Sequence, residues 1–401
     1  MKDLPAEEAG FLTLNAGSSS LKVALFPAVG DDPLMTGQAD RIGPEGTLKL
    51  KDAEGNLLET APGAITSHAG ALAVVIATVK RMFPALRMAA IGHRVVHGGL
   101  DHAEPVVITE EIIARLAELA PFAPLHQPHN IAGIRAAQKA FPGVLQVACF
   151  DTGFHRGQPF VNDTFAIPHR YYEAGVRRYG FHGLSYDYVT GELARIAPHL
   201  MQGRVVVAHL GNGASMCAIH RGKSVASSMG FSALDGLPMG TRCGQIDPGV
   251  LLYMLDREHM DTAQIRQVLY NESGLLGLSG GLSNDMRTLE EADTAEAHRA
   301  IDYFVFRVQR ELGAMAAVMG GIDALVFCGG IGENSRAIRR RVCERLGWMG
   351  IEIDHGKNAE SATVLSSEFS RTTVMIVKTR EDLVISRAAR AAAGITEGAR
   401  T

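Results

Sequence analysis

Short apolar runs alternate along this chain with longer stretches whose apolar residues return every third or fourth position. The runs at 11–14, 23–26, 89–96, 106–108, 145–150, 205–208, 216–219, 324–327 and 373–377 predict strands. The periodic stretches at 110–120, 131–141, 185–197, 295–319 and 382–392 predict helices. Strand and helix in alternation define an α/β chain with parallel or mixed central sheets. No low-complexity linker divides it. The domain junction is expected near Asp151-Thr152-Gly153, directly after a buried-looking strand. A junction there would set Asp151 at the edge of an interdomain cleft.

Two segments interrupt the pattern in the same manner. Asn15-Ala16-Gly17-Ser18-Ser19-Ser20-Leu21-Lys22 and His209-Leu210-Gly211-Asn212-Gly213-Ala214-Ser215 each join two strand-like runs. Ser20 and Ser215 lie 195 residues apart in a chain of 401. Small residues matter at such hairpin tips because backbone N–H groups approach phosphate oxygens closely only where no Cβ intrudes. Either tip alone is an ordinary turn. Recurring once per half, they point to two similar lobes that face one nucleotide. A third segment, Val326-Phe327-Cys328-Gly329-Gly330-Ile331-Gly332-Glu333-Asn334-Ser335, runs from a strand through glycines into a polar helix start, which suits a nucleotide's sugar and phosphates.

Composition narrows the classes. Hydrophobic residues make up 46% and charged residues 20%, enough for a substantial core, and the length implies two domains. The 44 glycines, about 11% against a usual ~7%, require many tight turns or close backbone approaches. A net charge of −4 offers no basic footprint for nucleic acid. Cys149, Cys217, Cys243, Cys328 and Cys343 are scattered and never spaced Cys-x-x-Cys, which points to reduced thiols in a cytoplasmic protein. The short acidic start has no signal-peptide pattern, and no run of about 18 apolar residues is present to span a membrane.

Three features imitate other chemistry. Gly222-Lys223-Ser224 ends like a Walker A loop, but the required first glycine falls at Cys217, and the tripeptide sits between two strand-like runs as a hairpin turn would. His93 and His97, followed by His126 and His129, invite a metal. Yet in a strand His93 and His97 stand roughly 13 Å apart at ~3.3 Å per residue, and no third ligand is evident, so a structural or substrate-positioning role is favoured over zinc. Arg339-Arg340-Arg341 reads as a solvated helix face. Arg94, inside an apolar strand, and Arg242, in a glycine-rich loop, read instead as anion-binding groups of the kind phosphoryl transfer requires.

Taken together these segments resemble the acetate kinase family, within the sugar kinase/Hsp70/actin superfamily. The matching stretches, 15–22, 93–99, 123–130, 150–155, 179–183, 207–215, 236–248, 283–287, 329–334 and 379–385, run the whole chain in order. The resemblance implies two duplicated actin/Hsp70-like (ribonuclease H-like) α/β domains with a catalytic interdomain cleft. They would comprise 1–151 with 383–401 as an acyl-kinase lobe, and 152–382 as a nucleotide-binding and dimerisation lobe. It implies Mg²⁺-dependent (Mn²⁺ as a substitute) reversible transfer of the ATP γ-phosphoryl to acetate, giving acetyl phosphate and ADP, in a homodimer with no nucleic-acid or membrane partner. Catalytic roles fall on Arg94, Asp151, His182 and Arg242, and Mg²⁺ on Asn15 and Glu381. The phosphates fall to Ser18, Ser20 and Lys22 and to the loop His209, Leu210, Gly211, Asn212 and Gly213. The adenosine falls to Asp285, Met286 and Arg287 and to Gly330, Ile331, Gly332, Glu333 and Asn334.

A small pocket for the acyl group is implied at Val96, Leu125, Phe181 and Ala233. The family's usual proline is Ala233 here, which would admit an extra methylene and makes propionate or butyrate an alternative substrate, at ~1–3 kcal/mol of discrimination. Gln245 stands for a usual aspartate, Gln127 for an asparagine, and Leu184 and Tyr186 break the family's Gly-Thr-Ser-His run after His182. A nucleotide-driven switch of the actin or Hsp70 type is the alternative from another class. The two arginines and His182, gathered for one carboxylate-sized site, weigh against it.

Overall fold

The computed structural model describes residues 9–17, 20–62, 65–124 and 126–395. The chain divides into two compact units, the first from residues up to Gly153 and from Arg380 onward, the second from Phe154–Thr379. The second crossing falls before Arg380, so Glu381 belongs to the first unit.

The first unit is built on eight strands: β1 (Ala9–Ala16), β2 (Leu21–Pro27), β3 (Met35–Asp40), β4 (Thr47–Asp52), β5 (Leu57–Pro62), β6 (Arg87–Val95), β7 (Val106–Val107) and β8 (Leu145–Phe150). Their order is β5-β4-β3-β2-β1-β6-β8-β7. The second unit has five: β9 (Arg204–Leu210), β10 (Ala214–His220), β11 (Lys223–Ser227), β12 (Ala324–Cys328) and β13 (Thr373–Ile376), in the order β11-β10-β9-β12-β13. The two sheets share one plan. In each, an antiparallel three-strand meander leads into two strands parallel to its first member, as β3-β2-β1-β6-β8 and as β11-β10-β9-β12-β13. The repeat of Gly/Ser tips is therefore a repeat of topology: each tip joins the first two strands of its sheet.

Packing follows from the strand alternation. In β1 and β2, Leu12, Leu14, Leu21 and Val23 turn to one core, where they meet Ala71, Leu72 and Val75 of helix His68–Met82. The opposite face of β6 carries Gly92 and Arg94 and receives the last helix, Glu381–Ala392. A Cβ on Gly92 would lie 2.4 Å from Ile385 Cγ2, so only glycine lets that helix sit so close. The helix is held by Arg390, which is buried and donates to the carbonyls of Pro27 (2.8 Å) and Gly30 (2.6 Å). In the second unit, Tyr186, Val189 and Leu193 of helix Gly183–Ile196 pack on Val205, Val207 and Cys217. Arg221 and Gly222 both have positive φ (51° and 72°) and close a two-residue turn between β10 and β11, so the Walker-like tripeptide belongs to a hairpin.

Two buried histidines tie stability to pH. His93 in β6 bonds Gln146 Oε1 (2.7 Å), and His155 bonds the Phe181 carbonyl (2.9 Å). Burial pushes each down to about 4 from an ordinary 6.5. The unfolded imidazoles take up protons below about 6.5 and the folded ones only near 4. Each therefore contributes about 3 kcal/mol that is fully present above pH ~6.5 and lost as pH falls toward 4. The melting temperature is expected to drop between pH 6.5 and 5, where exposed carboxylates are still largely ionised. A flat calorimetric profile over that interval would rule this out.

Candidate active site

In the first unit, Arg94 gathers the site. Its Nε donates to both carboxylate oxygens of Asp151 (2.9 and 3.1 Å), Nη2 donates to Asp151 Oδ2 (2.5 Å), and Nη1 donates to Asn15 Oδ1 (3.2 Å). Glu381, the first residue of the last helix, brings Oε2 to 4.0 Å from Arg94 Nε. Asp151 follows β8 and is 1% exposed. Burial pushes its carboxyl upward and Arg94 draws it back. Burial likewise opposes the charge on Arg94, but Asp151 and Glu381 outweigh it and the guanidinium is held more firmly protonated. We read the two as an ion pair at neutral pH, since three short N–H···O bonds serve the ionised form.

The tip of β1 and β2 belongs to the same unit. Asn15 pairs with Lys22 across the hairpin, so the two side chains share a face, with Lys22 exposed. Gly17 N–H donates to the Ser20 carbonyl (2.9 Å). A Cβ on Gly17 would lie 2.7 Å from Ser20 Oγ. Val96 is buried, its N–H on Asn130 Oδ1 (3.0 Å). Gln127 is buried too and donates to the carbonyls of His97 (3.0 Å) and Leu116 (3.2 Å), a bracing role. Ser18 and Leu125 lie outside the described residues.

In the second unit, His182 precedes helix Gly183–Ile196 in the left-handed conformation (φ 58°, ψ 25°), a strain of roughly 1–2 kcal/mol for a residue with a Cβ. It is imposed from beneath: His155 binds the Phe181 carbonyl, and a Cβ on Gly180 would meet the His155 ring at 2.6 Å. The His182 ring stacks on His209 (centroids 4.4 Å apart), and its Nδ1 bonds Ser215 Oγ (2.8 Å). Arg242 arrives from the glycine-rich loop and donates through Nη1 to the Ala233 carbonyl (2.8 Å). Arg242 Nη2 and His182 Nε2 then flank one point, for a Cβ on Gly213 would lie 3.0 Å from the first and 3.1 Å from the second. Phe181 is buried, and Ala233 is half-buried with its carbonyl committed to Arg242.

The loop and the glycine turn expected to grip a nucleotide are neighbours. β9 and β12 run parallel with Cys328 opposite His209, and a Cβ on Gly329 would lie 2.8 Å from the Leu210 carbonyl oxygen. Asn212 is held by Gly240, whose N–H donates to its carbonyl (3.0 Å). Within helix Gly329–Asn334, Glu333 Oε1 accepts from Gly329 N–H (3.0 Å) and Thr379 N–H (3.1 Å). Asp285 caps helix Met286–Ala292 through Thr288 N–H (3.1 Å), Arg287 is exposed, and Met286 points into the core. Glu290 of that helix accepts from Ser335 Oγ (2.6 Å), which joins it to the Gly329–Asn334 segment.

Arg339 does not belong to a solvated face. It is fully buried and donates to the carbonyls of Gly332 (3.0 Å) and Glu333 (2.9 Å) and to Asn358 Oδ1 (2.9 Å), so it braces the glycine turn. Arg340 is exposed, and Arg341 pairs with Asp302. Among the described residues no three His, Cys, Asp or Glu side chains converge. Burial pushes the Cys217 and Cys343 thiols up to about 12, which leaves them poor nucleophiles.

An arginine and an imidazole nitrogen beside bare Gly213, next to a glycine loop and a helix start, are groups suited to an anionic phosphoryl, and the class such an arrangement points to is the phosphotransferases. The Acetokinase family model matches residues 10–387. The chain is 56% identical over 388 residues to an acetate kinase of Methylocella silvestris, covering 94% of this chain and 96% of that protein. It is 49% identical over 384 residues to one of Rhodopseudomonas palustris, covering 94% and 96%. Among solved structures it is similar to a propionate kinase from Francisella tularensis (TM-score 0.90, 36% identity, 96% of this chain and 99% of that one). It is also similar to the Porphyromonas gingivalis acetate kinase (TM-score 0.87, 37% identity, 96% and 99%). The chain belongs to the acetate kinase family, and is a kinase with a carboxyl group as acceptor. No helix among the described residues is long and apolar enough to cross a membrane.

Proposed function

We propose that this chain is an acetate kinase, transferring the γ-phosphoryl of ATP directly and reversibly to acetate to give acetyl phosphate and ADP. The observation that carries the reading is the convergence of Arg242 Nη2 and His182 Nε2 on Gly213, at 3.0 and 3.1 Å from where its Cβ would be. Charge spreads over the phosphoryl oxygens during transfer, and these two groups, both held beside Gly213, would meet it there with little reorganisation. Acetate is already ionised at neutral pH and needs no base. Arg94, fixed by Asp151 and Asn15, would hold the carboxylate, and the second unit's loop at His209–Gly213 would hold the β- and γ-phosphates. Gly330–Asn334, Asp285 and Arg287 would take the adenosine.

The residues present fit Mg²⁺, a hard cation that takes oxygen ligands and is commonly held by one or two carboxylates with substrate phosphates. Asn15 Oδ1 and Glu381 Oε2 both reach the Arg94 guanidinium, an oxygen donor set of that kind. When bound, Mg²⁺ or Mn²⁺ would neutralise phosphate charge. Val96, Leu125, Phe181 and Ala233 would line the acyl pocket, and Ala233 in place of proline supports tolerance of propionate. A homodimer is supported by Leu252, Tyr253 and Phe306, large apolar side chains exposed on helices Pro248–Asp256 and Ala295–Met319 that a second copy would cover. Five free cysteines support a reducing, cytoplasmic setting.

Trapping the product with hydroxylamine tests the reading. Hydroxamate is expected from acetate and ATP, lost on chelation of Mg²⁺, with propionate within roughly 100-fold of acetate in kcat/KM. ATP hydrolysis without hydroxamate would favour the nucleotide switch, and a preference for propionate or butyrate would move the substrate.

A further inference from the structure

A hydrogen-bonded chain leads from the core to His182 and ends on the nitrogen that does not face Gly213. Tyr186, fully buried one turn into helix Gly183–Ile196, sets its hydroxyl 2.5 Å from Ser215 Oγ, and Ser215 Oγ lies 2.8 Å from His182 Nδ1. Ser215 sits at the end of the phosphate loop and is itself fully buried. Among the described residues the Tyr186 hydroxyl has no other hydrogen-bond partner. A buried phenol proton needs an acceptor. Ser215 Oγ is that acceptor, which leaves the serine's own proton for Nδ1 of the histidine. Burial pushes the Tyr186 phenol well above its ordinary range, so it stays a donor throughout the working pH range.

We propose that Tyr186 and Ser215 are positioning residues that set the tautomer of His182: Tyr186 donates to Ser215, Ser215 donates to Nδ1, and the ring proton is thereby fixed on Nε2. The reverse polarity would bury the phenol proton without a partner, a bias of about tenfold or more in tautomer population. The consequence lies at Gly213. Nε2 presents N–H beside Arg242 Nη2, so two donors face the phosphoryl oxygens; the other tautomer would aim a lone pair at them. The family's histidine at this position is replaced by Tyr186, whose single buried hydroxyl proton has Ser215 Oγ as its acceptor.

This inference rests on the reading of His182 as a group at the reacting phosphoryl, and its test separates the two. Nitrogen-15 histidine NMR of the wild-type protein is expected to give the Nε2–H tautomer for His182; a dominant Nδ1–H form overturns the proposal. Tyr186→Phe, which removes only the hydroxyl, is expected to mix the tautomers and lower kcat roughly tenfold or more, with KM for acetate and ATP within twofold of wild type. An unchanged kcat and an unchanged spectrum overturn it. Ser215→Ala gives the same reading should the phenylalanine variant fold poorly. Full activity in His182→Ala would instead remove the catalytic reading of His182, leaving the tautomer measurement to stand or fall by itself.

Discussion

Arg242→Ala is expected to lower kcat by roughly 10³-fold or more, while the melting temperature stays within a few degrees of wild type. The second half of that expectation follows from how the loop is held. Its backbone is fixed independently of the side chain: Met239 N–H donates to the Arg242 carbonyl (3.0 Å), Cys243 N–H to that of Leu269 (3.1 Å), and bare Gly274 packs against the Arg242 backbone. The guanidinium spends one nitrogen on the Ala233 carbonyl and sets the other over Gly213. Truncation therefore removes a donor from the phosphoryl position proposed above without opening the fold. If Arg242 acts on charge developing in transfer, KM for acetate and for ATP should move far less than kcat. Near-normal turnover, or a loss carried wholly by KM, would sink the assignment. Arg242→Lys should recover only part of the rate, since a point charge cannot hold the Ala233 carbonyl and reach Gly213 together.

The nine strand-like runs and five helical stretches all fall on elements of the stated type, and all but the two-residue β7 are dominated by one period and buried on at least one face. The meander β3–β5 and helix His68–Met82 were not anticipated. β4 does alternate, with Leu48 and Leu50 inward and Lys49 and Lys51 more exposed, but over six residues that signal is short. At the site, glycine-rich turns and arginines in apolar company were legible because they break local rules. Residues that act from underneath were not. Arg339 hides in a run of three arginines, though the helical period puts it with Val342 and Cys343 on the buried face of helix Arg336–Cys343. Arg390 shares a helix face with Ser386 but bonds carbonyls more than 350 positions away, and His155 supports Phe181 from 26 positions earlier, with two short helices between them. Period could have found the first; the others depend on partners that only the fold brings near.

Asp151→Ala carries the second large effect, on stability and activity together. Asp151 is 1% exposed and bonds Arg94 through both carboxylate oxygens, so its removal strands a guanidinium whose side chain is 20% exposed. Breaking a buried pair from one side typically costs about 3–5 kcal/mol. Asn15 and Glu381 remain beside Arg94, at 3.2 and 4.0 Å, which places the expected loss near the low end. On the proposed role of Arg94 the rate should fall as well, since released from its clamp it would no longer hold the acceptor in register, and a displacement of about 1 Å costs roughly 10²-fold. Arg94→Ala acts in the opposite sense: Asp151 keeps its burial and loses the guanidinium that drew its pKa down, so it becomes protonated more readily. The pair is therefore best judged by a double-mutant cycle. Arg94→Ala with Asp151→Ala should be no less stable than Asp151→Ala alone, because the guanidinium is no longer stranded without the Asp151 carboxylate, yet it should remain inactive. Strictly additive losses in stability would mean that the two residues do not act as a pair, and Asp151 would then need a role of its own at the reacting centre.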